Sequence, residues 1–202
     1  MHAFLRLNTR EWHDRVDAAF EQFDLTTERG YRSFLEAHAQ VIPLCELHLA
    51  NSGAERRFPG WLGTMRMPAL MADLDAMGGT WQTPPDIAGN EKRFDTAGPA
   101  LVGMIYVLEG SRLGGRILAK RVERGGNARC RSATEYLRHD GGVSWRSFLD
   151  RLHTLELSEL ETEAALAASI KIFRLFERAV ADVAASGGIT NDNRNDRALD
   201  IA

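Results

Sequence analysis

Arg6, Arg10 and His13 stand at helical spacing near the start of the chain, so a helix would stack them about one turn apart along one face. An imidazole beside an apolar stripe can bind a metal through one nitrogen while a hydrogen bond holds the other. Two guanidiniums on the same face match two carboxylates in geometry and charge. A second group stands in Tyr106-Val-Leu-Glu-Gly-Ser-Arg-Leu-Gly-Gly-Arg-Ile-Leu118, where Gly110, Gly114 and Gly115 interrupt a helical pattern, with Gly103 just before it. Each glycine inside a helix is unfavourable by roughly 0.5–1 kcal/mol relative to alanine, so the cluster needs a compensating contact. Without Cβ atoms another body can lie against the backbone, and the helix can kink there. That body is either a neighbouring helix, in the GxxxG manner of Gly110 and Gly114, or a flat ligand.

The elements that must position these residues are helical throughout; no convincing alternating strand occurs. The spacing predicts a first helix over 6–23, with Leu5, Trp12, Val16, Ala19, Phe20 and Phe23 on one side. A second is expected over 27–49, capped by Thr26 or Thr27 and kinked at Pro43. Two short helices divided near Pro68 are expected over 58–77, then a loop over 80–95. The glycine-rich helix follows over 96–123, ended by Gly125-Gly126. Short helices are expected near 132–138 and 144–153. The last begins at Ser158, with Glu161 completing a capping box, and runs to about Ala185. From Ser186 onward the composition is that of a polar tail. The chain therefore reads as one all-α domain over residues 1–185 with a flexible segment over 186–202.

Composition narrows the function. A net charge of −3 lacks the basic face that nucleic-acid binding requires. The longest apolar run, over 100–108, is too short to span a bilayer. Cys45 and Cys130 stand far apart without metal-ligand spacing, as reduced thiols in a cytoplasmic protein would. A di-iron carboxylate bundle needs Glu-x-x-His on two helices, and only Asp150-x-x-His153 comes near it. A monomer is the expectation for this size and polarity.

Heme is a flat apolar disc with a metal at its centre and two carboxylates at one edge. A histidine helix on one face and a glycine-lined helix on the other would clamp it. The motifs Leu5-Arg6-x-x-Thr9-x-x-x-His13 and Gly110-Ser111-x-x-Gly114-Gly115, with Arg66-x-Pro68 and Leu70-x-x-Asp73-Leu74 between them, resemble the biliverdin-producing heme oxygenases. The likeness is to the bacterial branch associated with bacteriophytochromes, and it covers roughly residues 5–184. It implies a single-domain, multi-helical heme oxygenase-like fold with His13 as proximal iron ligand. Gly110, Gly114 and Gly115 would line the distal pocket, and Arg10 and Arg6 would meet the propionates. The implied reaction opens heme b with O2 and an external electron donor, giving biliverdin, CO and ferrous iron. A ferredoxin or flavoprotein reductase would be the donor, and a phytochrome could accept the biliverdin.

Two departures qualify that resemblance. Many members of the family carry aspartate directly after the first glycine, where this chain has Ser111, which can order water but cannot usefully ionise. Proton delivery would then depend on water, on Ser111 or on Arg112. No motif supplies a cation for the far propionate, for which Arg146, Arg151 and Arg174 are candidates. A non-catalytic heme carrier or sensor on the same fold is the alternative, and a helical interaction module without heme is a third reading. Phe173, Leu175 and Phe176 read as core, and His38, His48, His139 and His153 as structural or solvent-facing.

Overall fold

The computed structural model describes residues 1–81, 98–125 and 127–189. Nine α-helices and one short 3-10 turn, Trp61–Thr64, make up the regular structure of these residues: α1 His2–Phe20, α2 Glu28–Asn51, α3 Ala54–Arg57, α4 Met67–Ala76, α5 Gly98–Arg124, α6 Ala128–Ser132, α7 Glu135–Arg138, α8 Trp145–His153 and α9 Glu159–Ile189. α9 is the central support, packing on α5, α1 and α2, while α2 also carries α4. The core between them is built from long apolar side chains at helical spacing, among them Leu35, Ile42 and Leu49 of α2 and Val102, Met104 and Ile105 of α5.

Local chemistry sets the helix ends. Thr27 caps α2 by accepting the Gly30 N–H, Ser144 caps α8 through the Ser147 N–H, and Ser158 and Glu161 form the reciprocal pair that opens α9. Pro43 does not break α2, which is helical from Glu28 to Asn51. A proline inside a helix costs about 3 kcal/mol, and the buried residues on both sides of it outweigh that. Pro68 lies in the first turn of α4, where its missing N–H would have no helical partner anyway. The expected helix over 132–138 is two, α6 and α7, separated at Ala133. The polar tail expected from Ser186 is still helical as far as Ile189, and the Gly187 carbonyl accepts a bond from Arg29. The expected loop over 80–95 falls mostly outside the described residues, as does the chain beyond 189. Both cysteines are buried free thiols.

Candidate functional site

α1 and α5 meet at one end. The Tyr106 phenol of α5 lies within interaction range of the Thr9 hydroxyl and the Arg6 guanidinium, and burial raises its pKa. The same end carries the His2 ring, 6.2 Å from Tyr106 and 6.0 Å from Trp145 between ring centroids. From that contact each helix continues as a stripe. On α1, Arg6 is followed by Arg10, His13 and Asp17; on α5, Tyr106 is followed by Gly110, Leu113, Gly114 and Ile117. By helical spacing both stripes lie on the faces that meet at Tyr106, which puts the candidate cleft in the space between α1 and α5.

His13 is exposed, and its Nδ1 lies 3.1 Å from the Asp17 carboxylate. That hydrogen bond raises the imidazole's pKa, with partial burial working against it. It also fixes Nδ1–H as the donor and leaves Nε2 for a metal, the arrangement by which outer partners orient ligating histidines. The ring rests edge-on against Phe173 of α9 at 6.2 Å. Arg10 is largely free, 4.0 Å from Asp14 at its nearest approach. Arg6, beside Tyr106, is the better placed of the two cations for a carboxylate at the meeting end of the cleft.

The glycines of α5 divide into two kinds. Nothing lies within 4 Å of a Cβ placed on Gly114, and one placed on Gly110 would touch only Trp145 Cη2 at 3.9 Å. These two are open to the cleft. A Cβ on Gly115 would stand 2.7 Å from the Leu137 carbonyl oxygen, and one on Gly103 would overlap the Ala165 carbonyl. Gly115 is buried and packs against α7, unlike Gly110 and Gly114. α5 runs as one α-helix through all four.

Behind this wall lies a buried polar group that no motif marks for a role. The Arg66 guanidinium donates to Ser111 Oγ at 2.8 Å and to the Leu108 carbonyl at 3.2 Å, and lies 5.1 Å from the Tyr136 ring centroid. Ser111 spends its own proton on the Leu108 carbonyl at 2.8 Å. It therefore has a lone pair left to accept with and no proton left to donate. Arg66 is held in turn because its backbone N–H and that of Met67 donate to the Glu46 carboxylate at 2.8 and 2.9 Å. Burial raises the Glu46 pKa, and these bonds and the guanidinium oppose the rise. Arg112 turns away from the cleft: it pairs with Glu109 at 2.6 Å and donates to the Gly141 carbonyl at 2.8 Å. Of the far-propionate candidates, Arg174 lies over the Trp12 ring, Arg151 donates to the Arg57 carbonyl, and Arg146 is exposed on α8.

A heme-sized disc fits this donor set: a histidine nitrogen free for iron on one wall, a backbone without side chains opposite it, and Arg6 with Tyr106 at one edge. Among the described residues, no three histidines, cysteines or carboxylates gather as an independent metal site, and no helix is long and apolar enough to cross a membrane. Known proteins resemble this chain in sequence and fold. Residues 1–182 match the family model described as heme oxygenase. A heme oxygenase of Xanthomonas campestris pv. campestris is 32% identical over 100 residues, 44% of this chain and 54% of that protein. Heme oxygenase PigA of Pseudomonas aeruginosa is 28% identical over 178 residues, 85% of this chain and 87% of that protein. Among solved structures, the Neisseria meningitidis heme oxygenase superposes with a TM-score of 0.71 at 20% identity, over 94% of this chain and 93% of its own. The Leptospira interrogans heme oxygenase does so with a TM-score of 0.68 at 22% identity, over 89% and 98%. With nearly its whole helical domain matched, the chain belongs to the heme oxygenase family.

Proposed function

We propose that this protein opens heme to biliverdin, CO and ferrous iron, using O2 and electrons from a partner protein, with heme held between α1 and α5. The observation that carries the reading is the facing pair of stripes: His13 with Nε2 free on one wall, and on the other Gly114 without neighbours and Gly110 touched only by Trp145. Bound heme supplies the iron at which O2 reacts and the porphyrin ring that is opened; the chain's share is positioning and electrostatics. Asp17 orients the His13 ring. Gly110 and Gly114 keep the roof low enough to leave space for a diatomic gas and little else. Arg6 and Tyr106 bind a propionate at the cleft edge. Ser111, locked by Arg66, accepts a hydrogen bond from water on the distal side, so protons reach the reaction through water rather than from an ionisable side chain.

The motifs favour the bacteriophytochrome-linked branch, which makes a phytochrome the acceptor of the biliverdin and the cytoplasm the place of reaction. The electron donor is a ferredoxin or flavoprotein reductase. Its docking surface is the cationic end of α5, where Lys120, Arg121 and Arg124 are grouped beside Ile117. Heme titration followed by ascorbate or a ferredoxin system in air tests the activity. A Soret band that forms and gives way to the broad red absorption of biliverdin is the expected result. A band that forms and persists would leave a heme binder without turnover, and no band at all would refute the site.

A further inference from the structure

One imidazole near the cleft takes no part in holding heme. His38 of α2 lies inside an aromatic cluster, with ring centroids 4.6 Å from Phe20, 4.2 Å from Phe34, 5.4 Å from Tyr136 and 5.4 Å from Phe176. Phe20 belongs to α1, the helix of His13, and Phe176 lies one turn beyond Phe173, which touches the His13 ring. Tyr136 is the ring beneath the Arg66 guanidinium that holds Ser111. His38 thus connects the α1 side, through Phe20, to the Arg66–Ser111 group, through Tyr136. Its Nδ1 lies 2.8 Å from the Phe34 carbonyl, and since a carbonyl only accepts, Nδ1 carries the proton. Nε2 is then a bare lone pair. It has no hydrogen-bond partner among the described residues, and it is not among the sealed polar atoms.

We propose that His38 is a positioning residue for the distal water of the heme site: its Nε2 accepts one O–H of a water in the cleft and leaves the second O–H directed at the distal face. This deepens the proposed heme oxygenase function and rests on it. Ser111 offers the same kind of group, because its proton is committed to Leu108 and one lone pair to Arg66. Two fixed acceptors orient water without adding charge. Burial lowers the His38 pKa to about 3, with the positive charge of Arg66 adding to the effect and the Phe34 carbonyl opposing it. The ring therefore stays neutral and acts as an acceptor, not as a proton shuttle.

The test uses the ferric heme complex and reads its acid–alkaline spectral transition in the wild type, His38→Gln and His38→Phe. Phenylalanine removes the acceptor and frees the water whose second O–H favours the alkaline form, so the midpoint is expected to rise by about half a unit to one unit, the shift one neutral hydrogen bond produces. Glutamine keeps an acceptor and should return the midpoint to the wild-type value, which a purely structural role would not require. Equal midpoints in all three, or equal shifts in both variants, would overturn the proposal while leaving the heme reading intact. Failure of the wild type to take up heme would instead remove the reading itself. Nitrogen-15 NMR of wild-type His38 covers the case in which the His38→Phe variant does not fold. The expectation is an unprotonated Nε2 that does not titrate down to about pH 4 and whose resonance moves on heme loading; a protonated or unmoved Nε2 would overturn the assignment.

Discussion

Substituting alanine separately at Gly103, Gly114 and Gly115 distinguishes a glycine that admits a ligand from one that admits a helix. At Gly114 the new methyl meets nothing within 4 Å, so the apo protein gains only helix propensity, roughly 0.5–1 kcal/mol. For a domain of this size about 1 kcal/mol moves Tm by roughly 2–4 °C, so Gly114→Ala should melt about 1–4 °C higher. At Gly115 the methyl would stand 2.7 Å from the Leu137 carbonyl, and at Gly103 it would overlap the Ala165 carbonyl in the α5–α9 contact. Overpacking of that kind costs about 1–3 kcal/mol, a fall of roughly 2–12 °C. Heme affinity should run the other way. The Gly114 methyl enters the cleft, and the same overpacking range applied to bound heme weakens it roughly 10–100-fold. Circular dichroism melts of the apo proteins and Soret titrations read both quantities. The reasoning fails if Gly114→Ala melts below wild type, or if it melts higher yet binds heme unchanged.

Three further outcomes follow from particular contacts. His13→Ala should lose normal proximal ligation, with free imidazole restoring the spectrum, and an unaltered heme spectrum in that variant would sink the assignment. Arg66→Leu strips Ser111 of its donor and the buried Glu46 of its nearest cation; urea denaturation should show a loss of about 1–3 kcal/mol, and a loss below about 0.5 kcal/mol (roughly the error of such a comparison) would contradict the described network. Asp73 accepts the Glu135 and Tyr136 N–H groups at the start of α7, yet burial raises its pKa from 3.8 to about 6. A raised carboxyl binds more protons in the folded state, so this contribution to stability is fully present below pH 3.8 and is lost as pH rises through about 6, on the order of 1–3 kcal/mol in all. Comparing wild type with Asp73→Asn by urea denaturation across about pH 4–7.5 isolates it, and parallel pH profiles would refute it.

The helical class, the Thr27 cap and the Ser158–Glu161 box are all local chemistry, and the chain displays them openly. His13 and the α5 glycines stand out for a related reason: a histidine on an apolar flank and a run of glycines in a helix both violate local preference. What the linear order hides is which side of α5 each glycine faces. Gly114 and Gly115 are adjacent in sequence but about 100° apart around the helix, and only the placement of α7 makes one a packing glycine. Arg66, Tyr106 and His38 are hidden differently. Each is ordinary among its neighbours and acquires its role from a partner far along the chain, as Arg66 does from Ser111, 45 positions away. Helical period carries no information about such pairings.

α9 is bolted to the floor of the cleft by the Arg15–Glu177 ion pair at 2.7 Å, and to its roof by the Gly103 contact, where Ser169 bonds the Gly103 carbonyl at 3.0 Å. It is therefore the jig that sets the gap, in the way a vice frame sets the distance between its jaws. Tolerance in that gap is a property of a surface remote from the reaction. A change of one methyl at the α5–α9 joint alters the aperture offered to a disc it never meets, so the dimension most critical to the chemistry is inherited from core packing and can drift or be tuned there.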